Sequence, residues 1–450
     1  MLVGFNMRNF KSFGKEEAFN MIASQTKRHA THVYNAPKHN VLKFSALFGA
    51  NASGKSNFVK GIQLFKNLAL RGEVFFYPED LTFKLQDLSK DIDFEMEFLI
   101  EDIIYVYGIS ANFHKRIISK EYLLQIKNNS EKTLFVIDNL KKDFEHVKLD
   151  AKNQDRLNIY KDDLKEHQLL LKKLASASGE NLDKLFTCTK KVYSFIKDDL
   201  IVITPNMSYR DKINQFLKVD EELSAIDILK TFDTGITDYF YETLSIDDFK
   251  NKLKTKYFIN DSMMGDLLEK ITNIKNNETI ETNLFGEFYK ATLKDEKPFI
   301  QLLGFEHLNK EDVSFSLEEE SDGTKRLIEL INILHNAKSN DKTYVIDEIE
   351  RSFHSNLTLE FIDKFLSYSK NNRSQLIITT HDTHVMNQNK FRIDSLWLIE
   401  RDGSGMSRLI PLSDFDIRSD KVLDKDYLNG RYGGIPNIIK TIEVNSNTNE

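Results

Sequence analysis

The rhythm of apolar and polar positions changes several times along the chain. From Leu2 to Phe13 apolar residues roughly alternate with polar ones, which predicts an edge strand or hairpin. Gln25 to Asn40 is polar and reads as a loop. Val41 to Phe48 is a short apolar run, the mark of a strand, and it ends in a glycine-containing stretch. Asn57 to Leu70 then carries Phe58, Ile62, Phe65 and Leu68 at helical spacing. Ile92–Leu99 and Ile103–Ser110 predict adjacent strands turned at Glu101 and Asp102. Ile117–Ile126 and Thr133–Ile137 extend that sheet.

From Asp138 to about Asn277 charged residues dominate, with helical spacing in Leu164–Leu174 and Asp183–Ile196 and no internal repeat. This stretch predicts a mostly helical insertion over 140–290. Sheet signals then return. Val313–Leu317, Thr343–Ile346 and Gln375–Thr379 read as strands, and Leu327–Ala337 and Leu357–Tyr368 as helices. Ser395–Glu400 and Met406–Ile410 read as a hairpin around Asp402-Gly403, and the polar tail from Glu443 as a disordered end. The expected class is α/β with a mixed sheet. Its two parts, 1–139 and 291–450, are separated in sequence by the helical insertion.

Composition narrows the classes. The single cysteine, Cys188, excludes a disulfide framework and a multi-cysteine zinc site. No apolar run approaches the ~18–20 residues that span a bilayer, and no basic segment followed by an apolar run opens the chain. The expectation is a cytoplasmic protein with no membrane partner. The net charge of −7 argues against a chain coated in basic surface for nucleic acid. One local excess runs against it: Arg8, Lys11, Lys15, Lys27, Arg28, Lys38 and Lys43 face only Glu16 and Glu17. That stretch fits either a solvated loop or a surface for a phosphate backbone.

The glycine-containing stretch is Gly49-Ala50-Asn51-Ala52-Ser53-Gly54-Lys55-Ser56, followed by Asn57. It fits G-x-x-x-x-G-K-[ST] at every fixed position and lies between a predicted strand and a predicted helix, the context a P-loop requires. Glycines let backbone wrap closely around phosphate while loop and helix N–H groups point at the anion. Lys55 is placed to reach the β- and γ-phosphates and the Ser56 hydroxyl to ligate Mg²⁺. These residues imply that ATP with Mg²⁺ binds over Gly49, Asn51, Ala52, Ser53, Gly54, Lys55, Ser56 and Asn57.

Three later motifs extend the reading. Tyr344-Val345-Ile346-Asp347-Glu348 is an apolar strand ending in two acids. Asp347 is placed to hold Mg²⁺, and Glu348 to act as general base on the attacking water. Gln375 to Thr379 delivers His381 beyond the carboxyl end of a strand, where ligands bind in α/β sheets; a neutral imidazole there can sense the γ-phosphate or position water. Glu320-Ser321-Asp322-Gly323-Thr324-Lys325-Arg326 precedes a helix, making Ser321, Asp322 and Gly323 a second anion site at a helix start. The plain alternative for each is structural: a helix cap at Ser321, a strand-end histidine at His381.

The order P-loop, helix-start signature, Asp-Glu, histidine resembles the ABC-type ATPases, including the SMC, RecF and OLD-type proteins, over roughly 1–125 and 300–435. The resemblance implies that Ser321 and Gly323 of one protomer close on the triphosphate held at Lys55 of another, so that ATP joins a homodimer or higher oligomer. Phe10-Lys11-Ser12-Phe13, Asp347 to His354 and Tyr427-Leu428-Asn429-Gly430-Arg431-Tyr432-Gly433-Gly434-Ile435-Pro436 look like the RloA/AbiL-type bacterial ATPases. That likeness implies an abortive-infection, anti-phage setting and a separate, nuclease-like effector protein. Ser355 departs from the pattern, which has proline there. Two other expectations stand beside this one: a DNA-maintenance ATPase acting directly on DNA, and a scaffold holding ATP as a structural ligand.

Overall fold

A computed structural model describes the chain except residues 37–38, 78–79, 86–89, 128–129, 180, 206–224, 273–277, 286, 295–296, 308–313, 419–421 and 436–450. It contains two compact units. The first is built from Met1–Thr204, Asn340–Ile349 and the described residues from Ser369 onward. The second takes the described residues of Pro205–Ser339 and of Glu350–Tyr368. Strands and helices are numbered below in chain order.

The first unit carries two large sheets. In the outer one, β1 (Leu2–Arg8), β2 (Glu17–Asn20), β6 (Ile92–Ile100), β7 (Ile103–Asn112), β8 (Ile117–Lys127), β9 (Ser130–Asp138) and β10 (Asp143–His146) run antiparallel in the order β10-β9-β8-β7-β6-β1-β2. β6 and much of β8 alternate buried and less buried positions, as expected of strands with one face on a core, whereas β7 is buried along most of its length. A short ribbon pairs β3 (Val33–Asn35) with β4 (Asn40–Leu42).

The second sheet orders β11 (Leu200–Ile203), β17 (Thr343–Ile346), β18 (Gln375–Thr379), β5 (Phe44–Phe48), β19 (Leu396–Arg401) and β20 (Ser407–Pro411). All neighbours are parallel except the β19–β20 hairpin. β5, β17 and β18 are buried along their whole length, which explains their unbroken apolar sequences. Helix α1 (Lys55–Arg71) follows β5 and buries Phe58, Ile62 and Phe65. Phe58 and Phe65 meet Phe5 edge-on at 6.0 and 6.1 Å, and Phe5 stacks on Phe94 at 5.9 Å. This aromatic cluster fixes α1, and with it the loop at its start, against the outer sheet. Helices α2 (Ala151–Asp162), α3 (Leu170–Ala175) and α4 (Lys184–Ser194), with a π-helical turn at Phe195–Asp199, lead into β11.

In the second unit, β12 (Ile236–Leu244), β13 (Thr279–Leu284), β14 (Glu287–Lys294), β15 (Lys297–His307) and β16 (Ser314–Ser316) form an antiparallel sheet in the order β12-β15-β14-β13, with β16 also on β15. The second unit's helices are α5 (Ala225–Lys230), α6 (Ile246–Tyr257), α7 (Asp261–Thr272), α8 (Asp322–Ser339) and α9 (Ser355–Tyr368); α10 (Leu423–Leu428) belongs to the first. Phe249, Leu253 and Met264 from α6 and α7 share a core with Tyr289, Ile300 and Leu302 of the sheet.

The stretch 140–290 therefore differs from the mostly helical insertion expected of it. Its described residues contain six helices but also β10, β11, β12, β13 and β14. In β12, Ile-Thr-Asp-Tyr-Phe-Tyr-Glu-Thr-Leu, charged residues occupy exposed positions and conceal the strand. β11 is a four-residue edge of the first unit's parallel sheet, too short to show a period. Of Val313–Leu317, Ser314–Ser316 is strand; Val313, Pro436 and the tail from Glu443 lie outside the described residues.

Candidate nucleotide site

β5 runs straight into the loop that precedes α1. The loop's glycines are demanded by close approach. A Cβ on Gly49 would lie 2.3 Å from the Ile399 carbonyl oxygen, and one on Gly54 2.3 Å from Ser407 Oγ, with Gly54 already at φ +122°. No side chain caps the start of α1, so its first N–H groups are open to an anion. Lys55 is buried and its ammonium donates to Gly49 O (2.7 Å) and Ala50 O (3.1 Å). The loop is tied to the hairpin beside it: Ser407 Oγ lies 2.5 Å from Ser53 O and 2.7 Å from Ser12 Oγ, and Asn57 Nδ2 donates to Ser12 Oγ at 2.9 Å.

Two neighbouring parallel strands bring the other groups to the same end of the sheet. Asp347, buried just past β17, accepts a 2.6 Å hydrogen bond from the Thr379 hydroxyl at the end of β18. The same hydroxyl accepts the Glu348 N–H at 2.9 Å. Glu348 itself has φ +50°, an uncommon conformation that turns the chain immediately after the buried acid. Thr380 and Asp382 hold the segment around His381: Asp382 N donates to Thr380 Oγ1 (3.0 Å), and Asp382 Oδ1 accepts His384 N (3.0 Å).

The product is an open cleft with about 600 Å³ of empty space. Asn51, Ala52, Gly54, Lys55, Ser56 and Asn57 line one side, and Glu348, His381 and Arg401 complete it. Gly49, Ser53 and Asp347 do not line it: the first two shape the loop from behind and Asp347 is buried below. Every lining residue belongs to the first unit.

Residues 44–387 match the family described as "AAA domain, putative AbiEii toxin, Type IV TA system". The chain belongs to this AAA-domain family. Among solved structures it is similar to the SMC head domain from Thermotoga maritima, at 15% identity and a TM-score of 0.39, over 91% of this chain and 98% of that one. An SMC head bound to the C-winged helix domain of ScpA gives 16% identity and 0.40, over 91% and 96%. An SMC head with an extended coiled coil bound to the C-terminal domain of ScpA derived from Pyrococcus furiosus gives 16% and 0.38, over 91% and 95%. All three are distant likenesses. No curated protein matches the chain.

In this AAA-domain protein the signature residues belong to the second unit. The exposed Ser321 accepts the Thr324 N–H at 3.1 Å, the geometry of a helix N-cap on α8, and its Oγ lies 2.9 Å from Thr324 Oγ1. Asp322 is exposed at the first position of α8. A Cβ on Gly323 would meet the Ser352 carbonyl oxygen at 2.8 Å, so glycine permits the approach of the loop that follows Glu348.

Among the described residues no cluster of three or more His, Cys, Asp or Glu side chains could hold a metal alone. Mg²⁺ keeps several waters and substrate phosphates and needs only one or two protein ligands. Ser56 at the cleft and the buried Asp347 carboxylate fit such an ion as the companion of a triphosphate. No helix among the described residues is long and apolar enough to cross a membrane. Sequence reasoning missed Arg401, Thr379, Ser12 and Ser407. Arg401 does stand at the end of an apolar strand, but nothing in the sequence shows that β19 pairs with β5.

Proposed function

We propose that this protein is a Mg²⁺-dependent ATPase of the ABC type that works as a two-state switch. The observation that carries this reading is the convergence of Lys55, Glu348 and His381, from the ends of β5, β17 and β18, on one cleft. Lys55 exchanges its contacts to Gly49 and Ala50 for the β- and γ-phosphates, and the open N–H groups of α1 and the loop take the remaining phosphate oxygens. When bound, Mg²⁺ held by Ser56 and Asp347 neutralises charge on the phosphates. Glu348 accepts a proton from water as that water's oxygen bonds to the γ-phosphorus. The bond from phosphorus to the bridging oxygen breaks, and ADP and phosphate leave. His381 donates a hydrogen bond to the γ-phosphate and reports its presence.

The cleft is open, all its lining residues belong to the first unit, and a triphosphate takes donors on its remaining face as well. Ser321, Asp322 and Gly323 of a second protomer supply the other side, so ATP joins two copies and hydrolysis releases them. The family description, with its toxin and TA-system terms, and the RloA/AbiL-like motifs support an anti-phage sensor controlling a separate, nuclease-like effector. Glu348→Gln tests the switch. ATP turnover should fall by roughly 10²–10⁴-fold while ATP is retained and the dimer accumulates in sizing experiments. Wild-type turnover and oligomeric state in that variant would sink the mechanism.

A DNA-maintenance ATPase is the second reading, favoured by the exposed Lys27 and Arg28. Lys43, counted in the same basic stretch, is buried and donates to Lys370 O at 2.8 Å and to Ser369 O, which removes it from any such surface. Direct action on DNA requires binding that weakens steeply with salt; a flat salt response excludes it.

A further inference from the structure

The acids at the end of β17 are held by a residue to which the sequence assigns no chemistry. Thr379, the last residue of β18, is 1% exposed. Its hydroxyl lies between two groups of opposite character. An ionised Asp347 carboxylate can only accept, so the Thr379 O–H donates to its Oδ1, at 2.6 Å. The lone pairs of the hydroxyl are left to the Glu348 N–H, which donates to it at 2.9 Å. The Thr379 carbonyl takes the next N–H, that of Ile349, at 3.2 Å. One residue thus grips the first acid by its side chain and the second by the N–H groups at and just after it.

Those contacts fall where the chain needs them. Glu348 has φ +50°, a left-handed conformation that a residue with a Cβ keeps only when its surroundings hold it there. Asp347 is anchored on the opposite side as well, where its N–H donates to Ile203 O of β11 at 2.9 Å. The next residue, Thr380, donates its N–H at 3.0 Å to Leu47 O, in the strand that leads into the phosphate loop. The Thr379-Thr380 pair therefore ties the ends of β17 and β5 to the strand that delivers His381. We propose that Thr379 is a positioning residue for both acids. Its hydroxyl fixes the rotation of the Asp347 carboxylate, leaving Oδ2 for Mg²⁺, and holds the turn that aims Glu348 into the cleft. This rests on the reading of the cleft as a site for ATP with Mg²⁺. Groups that orient a metal ligand from behind typically carry a factor of roughly 10–100 in metal affinity or activity.

The test uses the full chain and compares wild type with Thr379→Val and Thr379→Ser. ATP binding is titrated calorimetrically in Mg²⁺ and, separately, in EDTA, and steady-state turnover is measured beside it. In Thr379→Val, which keeps the volume, affinity in EDTA should equal that of wild type, because the phosphate loop is untouched. The tightening that Mg²⁺ brings should shrink by roughly 10–100-fold. Turnover should fall by roughly tenfold or more and stay low at saturating Mg²⁺ and ATP, since Glu348 is displaced as well. Thr379→Ser keeps the hydroxyl and should restore both. Thr379→Cys, whose thiol is a weak donor, should fall between the two, and it gives the same reading if the valine variant does not fold. Parallel losses in Mg²⁺ and EDTA would make Thr379 a packing residue and overturn the proposal. So would a valine variant that responds to Mg²⁺ like wild type, turnover that excess Mg²⁺ restores in full, or a serine variant as impaired as valine. Wild type that binds ATP equally in Mg²⁺ and EDTA, or Lys55→Ala that binds ATP like wild type, would instead overturn the reading of the cleft itself.

Discussion

At the scale of single residues, tight packing around the phosphate loop sets which substitutions it tolerates. Gly54 combines φ +122° with a neighbour, Ser407 Oγ, that a Cβ would meet at 2.3 Å. Gly54→Ala therefore costs about 1–3 kcal/mol of local strain and should weaken ATP binding at least tenfold by calorimetry; wild-type affinity would show that the loop adapts. Glu121 is a second residue with a sharp consequence. Its carboxylate is buried and accepts the N–H groups of Leu170 (2.6 Å) and Leu171 (2.9 Å) and the Tyr107 hydroxyl (2.9 Å). Burial raises its pKa to about 7, against the opposing pull of those hydrogen bonds. A carboxyl whose folded pKa lies above its unfolded one contributes stability at acid pH, and that contribution is lost as pH rises from about 4.5 through 7. The loss is on the order of 3 kcal/mol. Urea unfolding of wild type and Glu121→Gln across this range should show the wild type losing ground to the variant as pH rises. A constant difference would mean that Glu121 titrates normally.

At the scale of elements, one buried side chain joins strands of the two sheets of the first unit. Gln375, at the start of β18, accepts the Leu2 N–H (2.6 Å) and the Thr343 hydroxyl (2.9 Å), and donates to Leu2 O and Leu42 O (both 2.9 Å). It thus links β1 of the outer sheet to β17 and β4 while sitting fully buried in the strand that leads to His381. Gln375→Leu keeps the volume and strands those four groups without a partner. Each buried unsatisfied group costs about 1–3 kcal/mol, so the variant should unfold at least ~3 kcal/mol more easily in denaturant titration. A near-neutral result would mean that water or local rearrangement replaces the linkage.

At the scale of the whole molecule, the division of labour between units makes the strongest prediction. The phosphate loop, Asp347, Glu348 and His381 belong to one unit, and Ser321 and Gly323 to the other. Under the proposed two-copy site, Ser321→Arg leaves ATP binding by the isolated chain intact and abolishes turnover. Lys55→Ala abolishes both. Mixing the two defective proteins should restore turnover through sites that pair an intact Lys55 with an intact Ser321. No recovery in mixtures shown to form mixed dimers would rule out a site shared between copies.

Much of this was legible in the linear chain because the information is local. The spacing from Gly49 to Ser56, the apolar runs ending at Asp347 and before His381, and the helical period after Lys55 each reflect a backbone requirement over a short stretch of chain. β12, with Asp238 and Glu242 exposed along it, and four-residue β11 escaped because exposed charges and shortness blur the period that reveals a strand. The sequence by itself determined a P-loop between strand and helix, two further strands carrying acid and histidine, and a helix start just after Ser321. Only the tertiary structure decided that β19 lies beside β5. That neighbour relation brings Arg401 to the cleft and Ser407 to the loop from more than 350 residues away in sequence, and long-range pairing of this kind leaves no mark in local periodicity.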